Sequence, residues 1–78
     1  MPHLFFHCTG PGELLVDHHG TSVSNQSEAR ERALLMARFI MDQAFGVEDF
    51  SEWQIYVGDD EDDEVLVVPF TAAAPTLH

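Results

Sequence analysis

The residues best suited to bind a cation form an acidic run, Asp59 to Glu64. Carboxylates at alternate positions, here Asp59, Glu61 and Asp63, could surround a hard cation such as Ca²⁺. A calcium loop also needs a glycine at its sharp turn and a fixed order of ligands, and this run has neither. We therefore interpret the run as a solvated hairpin turn and keep a weak cation site as the alternative.

Two histidines offer a second candidate metal site. In the strand pairing predicted below, His3 lies opposite His19, which brings their Cβ atoms to roughly 5 Å. Two imidazoles at that distance could share a transition metal, but a structural zinc site needs four ligands. Because no third ligand is close in the sequence, we expect ordinary, partly exposed histidines, with metal binding by this pair as the alternative.

The neighbouring His7 and Cys8 raise the question of nucleophilic catalysis. Adjacent residues of a strand point to opposite faces of a sheet, so these two side chains cannot hydrogen-bond to each other. The sequence also lacks the G-x-S-x-G, H-E-x-x-H, P-loop and dinucleotide-binding patterns. We therefore predict that the chain is not an enzyme and has no cofactor.

The elements that position these residues must belong to one small, acidic domain. The chain has 78 residues, and 14 Asp and Glu stand against three Arg and no Lys, for a net charge of −11. Proteins that bind nucleic acid neutralise phosphates with Lys and Arg, so we predict neither a nucleic-acid partner nor an anionic membrane surface. An acidic surface suits a basic protein partner, cations or solubility.

The cysteine count and the N-terminal sequence bear on the compartment. Cys8 is the single cysteine, so an internal disulfide is impossible and a reducing compartment is natural. The sequence shows neither a basic, apolar leader nor a run of about 20 apolar residues that could span a membrane. We predict a cytoplasmic protein.

The pattern along the chain predicts a hairpin, a helix and a second hairpin. Apolar strands at 3–8 and 13–17 flank a Gly/Pro turn, and residues 21–24 form a connector. Asn25, with Glu28 three residues later, is a capping-box start for a helix from Gln26 to about Phe45. Strands at 53–57 and 64–68 flank the acidic turn. The fold class is therefore α+β: a ββαββ domain over residues 1–70, with a four-stranded antiparallel sheet in the order 2-1-3-4, one α-helix on one face, and a flexible tail at 71–78.

The apolar pattern also predicts how the first hairpin pairs. With Cys8 opposite Leu14, Phe6 faces Val16 and Leu4 faces His18, so one side of the hairpin is almost wholly apolar. Phe5 and Leu15 then lie on the opposite face. The residues expected to be buried are Phe6, Val16, Ala33, Ile40, Ile55 and Leu66.

Apolar residues left over from the core predict an interaction surface. Phe5, Leu15 and Tyr56 are expected on the outer face of the sheet. Leu35 and Phe39 widen the apolar arc of the helix beyond the alanine-rich line that one sheet can cover. A surplus of this kind favours a protein interface, and a two-fold homodimer is the simplest closed solution.

Several short motifs resemble a known family. They are Met1-Pro2-x-Leu4-Phe5-Phe6 at the start, Asp17-x-x-Gly20 before the helix, Glu28-Ala29 within it, and Val65-Leu66-Val67-Val68-Pro69-Phe70 at the end. Together they resemble short proteobacterial proteins catalogued as a domain of unknown function, which start M-P-x-Y-F-F and end near L-P-F. The resemblance covers residues 1–70, with Leu4 where an aromatic residue is usual. It implies a bacterial, cytoplasmic ββαββ domain and no catalytic residues.

Three functional hypotheses follow from the sequence. The leading one is a small, acidic, non-catalytic interaction or accessory regulatory module that associates with itself. The second is a metal-binding or metal-responsive protein that uses His3 and His19 or the acidic turn. The third is an acidic mimic that occupies a basic, nucleic-acid-binding partner.

Overall fold

A computed structural model describes residues 3–43, 49–61 and 63–73, which form an antiparallel sheet with one α-helix on one face. The elements are β1 (His3–Gly10), β2 (Glu13–Leu15), β3 (Thr21–Ser22), α1 (Gln26–Gln43), β4 (Gln54–Gly58), β5 (Glu64–Pro69) and a 3₁₀ helix, Phe70–Ala72. The sheet order is β2-β1-β4-β5, with β3 also paired to β1. The α+β class and the predicted strand order are therefore confirmed. No helix in these ranges combines the length and the apolar character that crossing a membrane requires.

The start of α1 is determined by local hydrogen bonds. The backbone N–H of Glu28 donates to Asn25 Oδ1 at 2.8 Å, and the N–H of Ser24 donates to Glu28 Oε1 at 2.8 Å. These bonds satisfy amide groups that the first helical turn leaves without partners, as the capping signal predicts. Helix α1 is described as far as Gln43, so the predicted end near Phe45 lies outside the described residues.

Small side chains let α1 lie close to the sheet. Ala29, Ala33 and Ala37 recur every four residues and are fully buried. They pack on a core formed by Leu4, Phe6, Cys8, Val23, Ile55, Val57, Val68, Phe70 and Ala73. Of the residues predicted to be buried, Phe6, Ala33 and Ile55 are buried, and Ile40 and Leu66 are half-buried against the core.

The predicted pairing of the first hairpin is wrong by one residue. Cys8 pairs with Leu15 rather than Leu14, and Gly10 pairs with Glu13 across a two-residue turn. Because side chains alternate along a strand, this shift places Leu15 on the helix side of the sheet and Leu14 on the outer face. Val16, predicted to be buried opposite Phe6, is 46% exposed.

Two glycines explain the shift. Gly12 has a φ of 71°, as the second central residue of a Pro-Gly turn requires, so Pro11 and Gly12 together reverse the chain. Gly10 belongs to β1 and is small for a different reason. A Cβ atom at Gly10 would lie 2.5 Å from the Trp53 ring, so this glycine makes room for the indole.

The structure also corrects the prediction that residues 21–24 are a connector without regular structure. Thr21 and Ser22 form the short strand β3, which pairs with Leu4 and His3 respectively, and Val23 is fully buried. Leu4 therefore does not face His18, and His3 does not face His19. Strands β2 and β3 lie in turn along one edge of β1, with residues 16–20 forming a loop between them.

The predicted tail begins within the fold. The N–H of Phe70 donates to the Trp53 carbonyl at 3.0 Å, and the Phe70 ring is fully buried beside Phe50 and Trp53. Ala73 is also buried. Residues 71–73 are therefore part of the structure, and residues 74–78 lie outside the described residues.

The buried position of Phe6 generates the first prediction. Phe6→Ala should lower the free energy of unfolding by about 3–5 kcal/mol, because the alanines facing it cannot fill the space. Phe39→Ala, at a 65% exposed position, is the matched control and should cost far less. The measurement is urea unfolding followed by circular dichroism. Equal midpoint shifts for the two variants would contradict the described core.

Candidate functional site

The loop between β2 and β3 is organised by one carboxylate. Asp17 Oδ2 accepts a hydrogen bond from the backbone N–H of Phe6 at 3.1 Å. Asp17 Oδ1 accepts from the N–H groups of His19 and Gly20, each at 3.0 Å. The Phe6 N–H faces the side of β1 where a continuous edge strand would have supplied a carbonyl. The Asp17 side chain supplies the acceptor in its place.

Two further contacts fasten the same loop. The N–H of Asp17 donates to His7 Nδ1 at 3.0 Å, so neutral His7 carries its proton on Nε2. Gly20 has a φ of 72°, and a Cβ atom there would meet His3 Nε2 at 2.5 Å and the Leu4 carbonyl oxygen at 2.9 Å. The Asp17-x-x-Gly20 motif therefore has a structural role: Asp17 holds the loop to β1 by hydrogen bonds, and Gly20 adopts the positive φ that the loop requires.

The surroundings of two ionisable groups shift their pKa values. Desolvation raises the pKa of Asp17, but the hydrogen bonds from Gly20, Phe6 and His19, with the nearby His7 ring, outweigh it and hold that pKa below its ordinary value. Burial, with a smaller contribution from the Glu13 carboxylate, raises the pKa of the Cys8 thiol. A buried thiol with a raised pKa lacks the thiolate character of a reactive cysteine.

The loop opens a groove between the edge of the sheet and α1. This edge groove has a volume of about 410 Å³, within the range of ligand and peptide clefts. It is lined by Phe6, Leu15, Val16, Asp17, Thr21, Arg32 and Met36. Arg32 and Met36 form the helix wall, and the interrupted edge strand forms the other. The lining is mostly apolar and carries one carboxylate and one guanidinium.

The most exposed large apolar side chains concentrate around the edge groove. Five are markedly exposed in the described part of the chain: Leu14 60%, Leu15 55%, Val16 46%, Leu35 62% and Phe39 65%. Leu15 and Val16 line the groove itself. Leu35 and Phe39 lie three residues beyond Arg32 and Met36 respectively, which makes them surface neighbours on the helix. Two of the five therefore line the groove, and two more stand on α1 one turn beyond the residues that form its helix wall.

The outer face of the sheet carries a row of rings. The centroid of Phe5 lies 5.2 Å from that of His3 and 6.5 Å from that of His7, and His7 lies 6.1 Å from Tyr56. A second cleft, of about 380 Å³, adjoins this row and is lined by His7, Thr9, Leu14, Val16 and Tyr56. The outer face and the edge groove meet at Val16, which lines both clefts.

The structure divides the predicted interface residues into two groups. Leu15 lines the edge groove, Leu35 and Phe39 are exposed on α1, and Phe5 and Tyr56 are half-buried on the outer face. Leu15 changes sides because of the corrected pairing, and Leu14 takes its place on the outer face. Sequence reasoning missed Leu14, Val16 and Arg32 as surface residues of this region.

The acidic turn has an internal structural role. Asp59 Oδ1 accepts hydrogen bonds from the N–H groups of Glu61 at 2.9 Å and Asp63 at 3.0 Å, and the Asp59 N–H donates to the Asp63 carbonyl at 3.0 Å. One carboxylate oxygen from each of Asp59, Glu61 and Asp63 lies within 4.8 Å of the other two. These hydrogen bonds close the β4–β5 turn, and they explain why an aspartate stands at position 59.

The two histidines of the other predicted metal site make a different contact. His3 Nε2 lies 2.8 Å from the backbone carbonyl oxygen of His19. A carbonyl oxygen can only accept, so this nitrogen carries a proton and is not available as a metal ligand in this arrangement. In the ranges described, these histidines do not belong to any cluster of three potential metal ligands.

These features define a small α+β domain with one covered sheet face, an interrupted edge strand and an apolar groove beside it. The chain belongs to the family described as Domain of unknown function (DUF6894), whose sequence profile matches residues 3–71. No curated protein and no solved structure matches the chain.

The Asp17 hydrogen bonds generate the second prediction. Asp17→Asn replaces one acceptor oxygen by an N–H₂ donor and leaves at least one backbone N–H without its partner. We expect a loss of about 1–2 kcal/mol in the free energy of unfolding at pH 7. Asp42→Asn, at an exposed helix position, is the control for the loss of one charge.

The same comparison predicts a pH dependence. The folded-state pKa of Asp17 lies below its ordinary value of 3.8, so its contribution is fully present above that pH and is lost as pH falls through the folded value. The stability gap between wild type and Asp17→Asn should therefore narrow below about pH 4. Urea midpoints measured from pH 7 to pH 2 test this, and a gap that widens on acidification would contradict it.

The closure of the acidic turn generates the third prediction. Asp59→Ala removes the acceptor of two backbone N–H groups and should cost about 1 kcal/mol. Asp60→Ala removes a carboxylate of the same run without a described hydrogen bond and should leave stability unchanged or raise it slightly, because like charges repel. Thermal melts of both variants in low salt provide the measurement. A larger loss for Asp60→Ala would refute the assigned role of Asp59.

Proposed function

We propose that this chain is a small, non-catalytic interaction module that associates with a second copy of itself through the edge groove. The observation that carries the proposal is the exposure of Leu15 and Val16 in an apolar groove, with the exposed Leu35 and Phe39 one helical turn beyond its wall residues Arg32 and Met36. Scattered exposed apolar residues need no explanation, but a contiguous patch of this kind is typical of an interface.

Energetics support a stable contact at this surface. Full burial of a large apolar side chain contributes roughly 1.5–3 kcal/mol relative to exposure. In a two-fold dimer the same patch meets itself, so every side chain of the groove counts twice. Several such contributions can exceed the free energy lost when two molecules become one.

The charge distribution is compatible with self-association. Six of the 14 Asp and Glu residues stand in the run from Asp59 to Glu64, which joins β4 to β5. The groove carries one charge of each sign, from Asp17 and Arg32. Two chains of net charge −11 repel each other. At physiological salt this repulsion is screened beyond about 8–10 Å, so charges outside the contact oppose association only weakly.

The remaining parts of the proposal concern chemistry and location. Cys8 is buried in the core while His7 points to the outer face, an arrangement that supports a non-catalytic role. The single, unpaired cysteine supports a reducing compartment, and we propose a bacterial cytoplasm. An accessory or regulatory task fits a small module without catalytic groups, and a basic protein is the alternative occupant of the groove.

Sedimentation equilibrium at micromolar concentration and physiological salt tests the proposal. The wild-type chain should sediment at twice its 8.7 kDa monomer mass. The double variant Leu35→Glu/Phe39→Glu should sediment as a folded monomer, because it places two charges in the proposed contact at positions that are exposed in the single chain.

The matched control is Thr71→Glu/Ala72→Glu, which adds the same two charges at exposed positions of the 3₁₀ helix. This control should remain a dimer. A wild-type protein that sediments only as a monomer would overturn self-association. Capture of a purified basic protein by that monomer would then identify the alternative occupant.

A further inference from the structure

We infer that His7 is a pH-sensitive switch for the loop between β2 and β3: the neutral ring holds the Asp17 end of the loop, and protonation of the ring releases it. The inference goes beyond the self-association proposed above, because it concerns a single copy of the chain. The contact that carries it is the hydrogen bond from the backbone N–H of Asp17 to His7 Nδ1, at 3.0 Å.

The direction of this hydrogen bond makes it sensitive to charge. An imidazole nitrogen accepts only when it carries no proton, and a protonated histidine has an N–H at both ring positions. Nδ1–H of His7 would then face the N–H of Asp17, and two donors cannot hydrogen-bond to each other. Histidine is the side chain that ordinarily changes charge between pH 5 and pH 8. The contact is therefore made at the upper end of this range and is lost at the lower end.

Two other contacts of the loop with β1 keep their polarity over the same range. Asp17 Oδ2 accepts from the N–H of Phe6, and the pKa of this carboxyl lies below its ordinary value of 3.8, so it stays ionised at pH 5. His3 Nε2 donates to the His19 carbonyl, and a protonated ring keeps that N–H. Protonation of His7 thus removes one contact of the loop and leaves these two in place.

The groups around His7 act on the charged ring. The ionisable residues of the surrounding elements are Asp17, His18 and His19 of the loop, Glu13 of β2, Tyr56 of β4 and His3 of β1. The Glu13 side chain points to the helix side of the sheet, because its neighbour Leu14 points to the outer face. The Asp17 carboxylate interacts electrostatically with the His7 ring and attracts its charged form. The residue that loses the hydrogen bond therefore also stabilises the state in which the bond is absent.

Release of the Asp17 N–H affects two clefts through Val16. The N–H of Asp17 and the C=O of Val16 belong to the same planar peptide group, so neither can turn without the other. Val16 lines both the edge groove and the cleft on the outer face. The charge of His7 therefore changes the shape of both clefts.

NMR spectroscopy of the wild-type chain between pH 8 and pH 5 tests the inference. At pH 8 the ring nitrogen shifts of His7 should show a proton on Nε2 and none on Nδ1. As the ring takes up its second proton, the hydrogen-exchange protection of the Asp17 amide should fall about 2- to 10-fold, as expected for the loss of one hydrogen bond. The Phe6 amide should keep its protection, and the Val16 methyl signals should shift with the midpoint of the His7 ring.

Two substitutions of His7 separate the effect of charge from that of shape. His7→Asn puts an amide oxygen, which accepts but does not titrate, in the place of Nδ1, so the Asp17 amide should stay protected across the range. His7→Phe keeps a ring without an acceptor, so protection of the same amide should be low at both ends of the range. Both variants keep His3, His18 and His19, so a response that comes from those histidines would persist in both.

Three outcomes would overturn the inference. The first is a neutral His7 ring with its proton on Nδ1, and the second is an Asp17 amide whose protection stays constant while the His7 ring titrates. The third is a pH response of the Asp17 amide that persists in His7→Asn, which would assign it to another group. The wild-type and His7→Asn titrations decide the matter even where His7→Phe does not fold. Failure of self-association would leave the inference intact, since every contact in it lies within one copy.

Discussion

The carboxylate of Asp17 replaces a missing stretch of edge strand. Its oxygens accept hydrogen bonds from the N–H groups of Phe6, His19 and Gly20. The chain can therefore stop pairing with β1 after Leu15, the last residue of β2, without leaving these backbone N–H groups unpaired. Residues 16–20 then form a loop in place of a continuous edge strand. The groove beside α1 is lined in part by this loop, and Leu15 and Val16 are exposed along it. One side chain therefore determines both the local backbone path and the shape of the surface above it.

Features encoded by neighbouring residues could be predicted from the sequence. The start of α1 depends on Asn25 and Glu28, which lie within one helical turn, and the predicted hydrogen bond forms between them. The hairpin-helix-hairpin order and the strand order follow from periodicity and from short connections. The burial of Phe70 after the Pro69 stop was also predictable, because an aromatic residue at the end of an apolar strand has the core nearby.

Features that depend on distant residues could not be predicted in the same way. Gly10 looked like part of a turn, yet it is small because the Trp53 ring, 43 positions later, occupies the space above it. The only local signal for the correct pairing was Pro11-Gly12, which suits a two-residue turn. The capping role of Asp17 had a comparable signal, because an aspartate ahead of a glycine often accepts hydrogen bonds from the next turn. Its bond to Phe6 has no sequence signature.

The pairing error itself carries information about the surface. Choosing the register with the most apolar residues on the helix side assumes that apolar residues face the core. This assumption fails at β2 and the residue after it, where Leu14, Leu15 and Val16 are all exposed. Local rules of this kind are expected to fail where a surface serves binding rather than stability.

An apolar edge of this kind would be a liability in a chain that could extend it without limit. The β5 edge differs from it, because the Val65 carbonyl accepts a hydrogen bond from Gln26 and Pro69 has no N–H to offer. Leu14 and Leu15 of β2 are exposed instead, so the two edges of the sheet are protected unequally.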